Sequence, residues 1–129
     1  SYKQDWQKQH WTAIQSAYNS SPFFEYYQDE LQPFFEAEET LLVDFNQKLQ
    51  KVILGLLQQE GNTSFTKEFQ HKGNFSDFRN HTLKCKNPTG YDQVFMEKHG
   101  FIPNLSIIDL LFNLGPESSD YLHKLDIRR

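Results

Sequence analysis

Between Leu41 and Leu57 the apolar residues return at helical spacing: Leu41, Leu42, Phe45, Leu49, Val52, Ile53, Leu56 and Leu57. Recurrence at three- and four-residue steps puts these side chains on one face of an α-helix. Asp44, Asn46, Gln47, Lys48, Gln50 and Lys51 occupy the other side. A stripe of this kind must lie against another apolar surface, which commits the chain to layered helical packing. The spacing predicts a helix from about Thr40 to Gln59, closed by Gly61. Gly55 inside it costs about 1 kcal/mol relative to alanine. The stripe needs only a core to explain it.

Two further helices precede it. Asp5 is a suitable N-cap for a first helix, with Trp6, His10, Ala13, Ile14, Ala17 and Tyr18 on one face. Trp6, His10 and Trp11 invite sugar stacking, but Trp6 and His10 share that face, which favours core packing. Ser21 and Pro22 then suit the N-cap and first position of a short aromatic helix carrying Phe23, Tyr26, Tyr27 and Leu31, with Pro33 dividing it from the Phe34–Phe35 pair.

The most apolar stretch reads FIPNLSIIDLLFNLGPES, residues 101–118. Pro103 keeps Ile102 extended, Ser106 caps (Asn104 is the alternative), and Gly115-Pro116 stops a helix of about eight to ten residues. Ile107, Ile108, Leu110, Leu111, Phe112 and Leu114 cover most of its circumference, and burying them contributes ~10 kcal/mol gross. Ser106, Asp109 and Asn113 remain in a single line. Two readings of that line stay open: a cap with two surface residues, or the polar wall of a cleft.

From 62 to 91 periodicity is weak. TSFTKEF suits a short strand, and the remainder reads as a long irregular segment punctuated by Gly, Asn, Asp and Pro. The expected architecture is therefore mainly α: one compact helical domain over residues 1–129, with room for one short strand pair. Twelve phenylalanines supply an aromatic core.

Composition excludes several function classes. The net charge of −4 gives no bulk electrostatic reason to bind nucleic acid. No apolar run approaches bilayer-crossing length and no charged-then-apolar leader opens the sequence, so no membrane insertion is expected. One cysteine, Cys85, rules out an internal disulfide and suits a reducing compartment, so the expected location is cytoplasmic. Asn-x-Ser/Thr occurs at Asn19, Asn62, Asn74, Asn80 and Asn104, which turn and capping preferences explain without glycosylation.

Chemistry-bearing motifs are sparse. His10, His71, His81, His99 and His123 are dispersed, with no HExxH or CxxC spacing, so no metal is expected. Gly-rich phosphate loops and a GxSxG elbow are both missing, and no cofactor is expected. Lys84 and Lys86 flank Cys85 and would lower its pKa, yet a nucleophile also needs a positioned base. The best constellation joins His99 and Asp109 as catalytic candidates with Arg79, Asn80, Asn104 and Asn113 as ligand-binding candidates. In it Asp109 would orient His99 as a general base, and Arg79 would grip a phosphate or carboxylate. The competing reading pairs Arg79 with Asp77 or Asp109 and leaves His99 at a turn before Gly100.

These residues carry a resemblance. FIPNLSIIDLLFNLGPES, the block WQKQHWTAIQSAYNSSPFFEYY, and DFRN at Asp77 to Asn80 together resemble the WbqC-like protein family, in order and across nearly the whole chain. The resemblance implies that residues 1–129 are the C-terminal part of a larger domain whose tyrosine/phenylalanine-proline block is missing. It also implies a role in bacterial surface-polysaccharide (O-antigen) biosynthesis, with acyl- or aminoacyl-type transfer to an amino sugar or nucleotide sugar. It assigns no catalytic residue. Two alternatives stand beside it: a non-catalytic protein-interaction domain, and a homodimer formed through apolar surface that truncation exposes.

Overall fold

The computed structural model describes residues 6–37, 41–59, 61, 64–69, 73, 84–85, 89–125 and 127–128. Six α-helices follow one another among these: α1 (Trp6–Tyr18), α2 (Phe24–Glu36), α3 (Leu42–Leu56), α4 (Met96–His99), α5 (Ile107–Leu114) and α6 (Ser118–His123), with a 3-10 turn at Gly115–Glu117 joining the last two. Strands β1 (Lys84–Cys85) and β2 (Ile127–Arg128) form one short antiparallel pair, Lys84 opposite Arg128 and Cys85 opposite Ile127. The mainly helical expectation holds. The strand pair lies elsewhere than TSFTKEF, because residues 64–69 form no strand.

The core is built around the aromatic residues of α1, α2 and α5. Trp11, Phe24, Tyr27, Leu31, Phe35, Phe45, Leu57, Leu111 and Phe112 form one buried cluster. Trp11 stacks between Phe24 and Phe35, with ring centroids 5.9 and 5.5 Å away. Trp6 meets Phe45 edge-on at 4.9 Å. Both tryptophans therefore serve packing. The buried face of α1 is rotated from the predicted one: Gln7 and Trp11 are inside while His10 and Ala13 are exposed. Gln7 tolerates burial because its amide donates to the Phe34 and Ala37 carbonyl oxygens at 2.9 and 2.6 Å, closing the C-terminal end of α2.

Helix α2 runs straight through Pro33. A mid-helix proline costs ~3 kcal/mol, and burial of Leu31 and Phe35 on either side of it outweighs that cost. Phe24, Tyr27, Leu31 and Phe35 make its inner face, and Tyr26 is exposed. Ser21 is not the N-cap. The Phe23 N–H instead donates to the Phe112 carbonyl oxygen of α5 at 2.9 Å, so a tertiary contact satisfies the helix start.

Helix α3 keeps its stripe from Phe45 onward, with Phe45 buried, Leu49, Val52, Ile53 and Leu56 half-buried, and Leu57 buried just beyond its end, whereas Leu41 and Leu42, expected on the same face, are exposed. It stops earlier than Gly61: Gln58 takes a left-handed φ of 59° and turns the chain. Helix α5 matches its expected start and end, with Ser106 as N-cap accepting from the Ile108 N–H at 3.3 Å and Gly115 as C-cap. The sequence pattern misses α6, whose half-buried Leu122 packs on the core.

Candidate functional site

The line of polar residues on α5 faces inward. Asp109 is 4 % exposed and Asn113 7 %, whereas Ser106 is exposed and spent on the cap. Neither sequence reading foresees a buried carboxylate. The hydrogen bonds around it explain why the burial is tolerated.

Three neutral donors converge on Asp109. The Tyr18 hydroxyl, at the end of α1, donates to Oδ1 at 3.1 Å. Tyr91 donates to Oδ2 at 2.5 Å, and the Gln93 amide donates to the same oxygen at 3.2 Å. A carboxylate only accepts, and hydrogen bonds to a charged group are worth more than neutral ones. Gln93 also clamps the approach to α5, donating to the Ile102 carbonyl oxygen and accepting from the Ile102 N–H, both at 2.9 Å. Asn113 donates through Nδ2 to the Asp109 carbonyl oxygen at 2.8 Å. One buried carboxyl group thus ties together the end of α1, the 91–93 segment and the lead-in to α5.

Burial is the largest influence on the tyrosines, with Asp109 second. Loss of solvent, then the charge and hydrogen bond of Asp109, push Tyr18 up to about 12. Burial followed by the hydrogen bond to Asp109 raises Tyr91 as well. Both stay protonated while the same side chains in an unfolded chain ionise near 10.0. Stability from this unit is therefore complete below pH 10 and is lost as pH climbs from there through about 12. In an alkaline titration, part of the tyrosinate absorbance should appear late and together with loss of helical circular dichroism. Smooth ionisation of all tyrosines near pH 10, with the helices intact, would contradict the burial of Tyr18 and Tyr91.

Two grooves share Tyr91 with this unit. The larger encloses ≈ 700 Å³, with Asn113 and Leu114 from α5 on one side, Glu117, Asp120, Tyr121 and Lys124 around α6, and the Thr89–Asp92 segment opposite. The smaller, ≈ 260 Å³, is more apolar and includes Phe101, Asn104, Leu105, Ile107 and Leu110. Tyr91, Tyr121 and Leu125 belong to both and form the partition, the two tyrosine rings edge-to-face with centroids 5.3 Å apart. The Tyr121 hydroxyl donates to the Thr89 carbonyl oxygen at 2.5 Å, holding one wall of the larger groove to the other.

The sequence-derived candidates separate on this geometry. Asp109 is buried under its three donors and lines neither groove, Asn113 lines the larger groove, and Asn104 lines the smaller one with a left-handed φ of 60°. His99 ends α4, is exposed, lines neither groove and makes none of the hydrogen bonds on Asp109. Arg79 and Asn80 lie outside the described residues, as do Asp77 and His81. Among the described residues no group of three or more metal-ligating side chains gathers, and no helix is long and apolar enough to cross a membrane. Sequence reasoning gives Tyr18, Tyr91, Gln93 and Tyr121 no place in the site. The available signal is Asp109 itself, since a carboxylate on a buried helix demands donors, and tyrosine brings one on an apolar body.

Fold and site together define a small helical domain with a buried, tyrosine-held carboxylate joined through Tyr91 and Asn113 to an open polar groove. The family model for the WbqC-like protein family matches residues 1–86 and 62–121, and the chain belongs to that family. No curated protein and no solved structure matches it.

Proposed function

We propose that this protein acts in bacterial surface-polysaccharide (O-antigen) biosynthesis as a transferase that places an acyl or aminoacyl group on a nucleotide-linked amino sugar. The observation that carries this reading is the ≈ 700 Å³ groove, which has tyrosine rings in one wall and hydrogen-bonding side chains around it. Aromatic rings offer apolar faces to a pyranose, while amide and carboxylate oxygens accept from its hydroxyls. In the step proposed, the sugar nitrogen attacks the carbonyl carbon of an activated donor. The new C–N bond replaces the bond to the leaving group, which departs with its electron pair, and the amine gives up one proton to solvent.

The test is incubation of the chain with amino-sugar nucleotides and a panel of acyl and aminoacyl thioesters, reading product mass. Formation of the amide, lost in Tyr121→Ala, is the expected result. Absence of both turnover and binding across the panel would overturn the transferase reading in favour of a non-catalytic interaction domain. Exposed Leu41, Leu42 and Val43 at the start of α3 support that second reading.

A further inference from the structure

We infer that the segment from Tyr91 to His99 is a flap that swings on Gly90 and Gly100, and that its opening joins the two grooves into one. The inference stands apart from the transferase reading and needs no ligand. Its first support is the way the segment is attached. None of its residues is buried, and none belongs to the core cluster. Among the described residues, every hydrogen bond that it makes beyond the two glycines runs through the side chains of Tyr91 and Gln93. Tyr91 donates to Asp109, while Gln93 donates to Asp109 and exchanges a pair of bonds with Ile102. No backbone–backbone bond joins the segment to α5 or α6 among those residues. Its own shape is kept by α4 and by the Met96 N–H, which donates to the Gln93 carbonyl oxygen. A piece held by two side chains belongs to the low-stability end of a fold and can leave without unfolding the core.

The hinge is the second observation. Gly100 holds φ 68° and ψ −173°, a conformation that side chains rarely adopt. Nothing comes within 4 Å of a Cβ built there, so backbone freedom and not packing calls for glycine. A Cβ at Gly90 would meet only the Phe101 ring, at ordinary contact distances of 3.6–3.9 Å. Opening also leaves no donor or acceptor stranded. Asp109 keeps its bond from Tyr18 and takes water in place of Tyr91 and Gln93, and those two side chains are hydrated as well. Tyr91 is the flap's share of the partition, while Tyr121 and Leu125 stay behind with α6 and the residues after it. With Tyr91 withdrawn, the polar groove and the apolar one become continuous.

The test is methyl relaxation dispersion by NMR on the whole chain. The reporters are Val94 in the flap, Leu125 in the partition, and Leu31 and Leu111 in the core. Val94 and Leu125 should share one exchange process on the microsecond-to-millisecond scale of hinge motion, with both core residues silent. Gln93→Met keeps the side-chain length and removes the tethers, so it should raise the open population about fivefold or more. Gly100→Ala touches no neighbour and should raise it too, because the closed flap requires a φ that alanine resists. Silence at Val94 and Leu125 in the parent and in both variants overturns the inference. So does exchange that includes Leu31 and Leu111 at the same rate, which is global unfolding. A process that neither variant alters overturns the tethers and the hinge, and exchange at Val94 with Leu125 silent overturns the joining of the grooves.

Discussion

Alanine at Gly115 is expected to destabilise the fold by ~2–6 kcal/mol. Two costs combine. Gly115 holds φ 58° and ψ −128°, a conformation closed to side chains, and forcing one there costs ~1–3 kcal/mol. A Cβ at this position would also lie 2.5–2.7 Å from Cδ1, Cγ and Cε1 of Phe23. Relieving that overlap requires the ring or the helix end to move, at a further ~1–3 kcal/mol. The displacement would reach α2, because the Phe23 N–H donates to the Phe112 carbonyl oxygen. A chain of this length has roughly 6–19 kcal/mol of total stability, so the loss takes a large share of it.

Gly55 supplies the contrast. It lies within α3, and nothing comes within 4 Å of a Cβ built there. Gly55→Ala should therefore stabilise the protein by about 0.5–1 kcal/mol through helix propensity alone. Urea unfolding of both variants decides the matter. Equal midpoints would show that Phe23 does not rest on Gly115 and that the docking of α2 on α5 is different.

Periodic patterns are legible in the sequence wherever packing follows a single face. Helix α5 lies where its spacing puts it and α3 lies inside its expected span, shorter at both ends, and Ser106 and Gly115 act as the cap and stop that local chemistry assigns. Local chemistry fails where a tertiary contact takes over its task. Pro33 is a helix breaker on its own terms, yet Leu31 and Phe35 hold α2 together across it. Ser21 is a better cap than Phe23, yet the Phe112 carbonyl oxygen reaches the helix start first.

The site is legible in one respect: Asp109 and Asn113 stand out as the unexplained polar residues of a buried helix. Their partners do not, because Tyr18 is 91 residues away in sequence and Tyr91 and Gln93 lie in a stretch with no period to read. His99 looks attractive beside an acidic residue, but a separation of ten positions in sequence says nothing about distance in space. A donor-poor line on a buried helix predicts that donors exist and leaves their identity to the fold.

Removing the Asp109 carboxylate by Asp109→Ala should cost ~3–5 kcal/mol. The Tyr18 and Tyr91 hydroxyls and the Gln93 amide would lose their acceptor together, and each buried donor left unmade costs ~1–3 kcal/mol. Some rotate toward water at the groove, which keeps the sum below its upper limit. Asp109→Asn should cost less, since the amide oxygen can still accept from Tyr91 and Gln93 while its NH2 donates to a turned Tyr18 hydroxyl. The diagnostic measurement is a double-mutant cycle with Tyr91→Phe. Taking the hydroxyl away from an alanine background removes one stranded donor, so the second substitution should cost less there than in the parent, with a coupling of about 1 kcal/mol or more. Additivity within about 0.5 kcal/mol would mean that the bond from Tyr91 to Asp109 contributes nothing. The same variants report on the groove, because Tyr91 is its partition and Gln93 clamps Ile102 beside it. Ligand affinity should therefore fall in Asp109→Ala at temperatures where the protein is still fully folded, and fall less in Asp109→Asn.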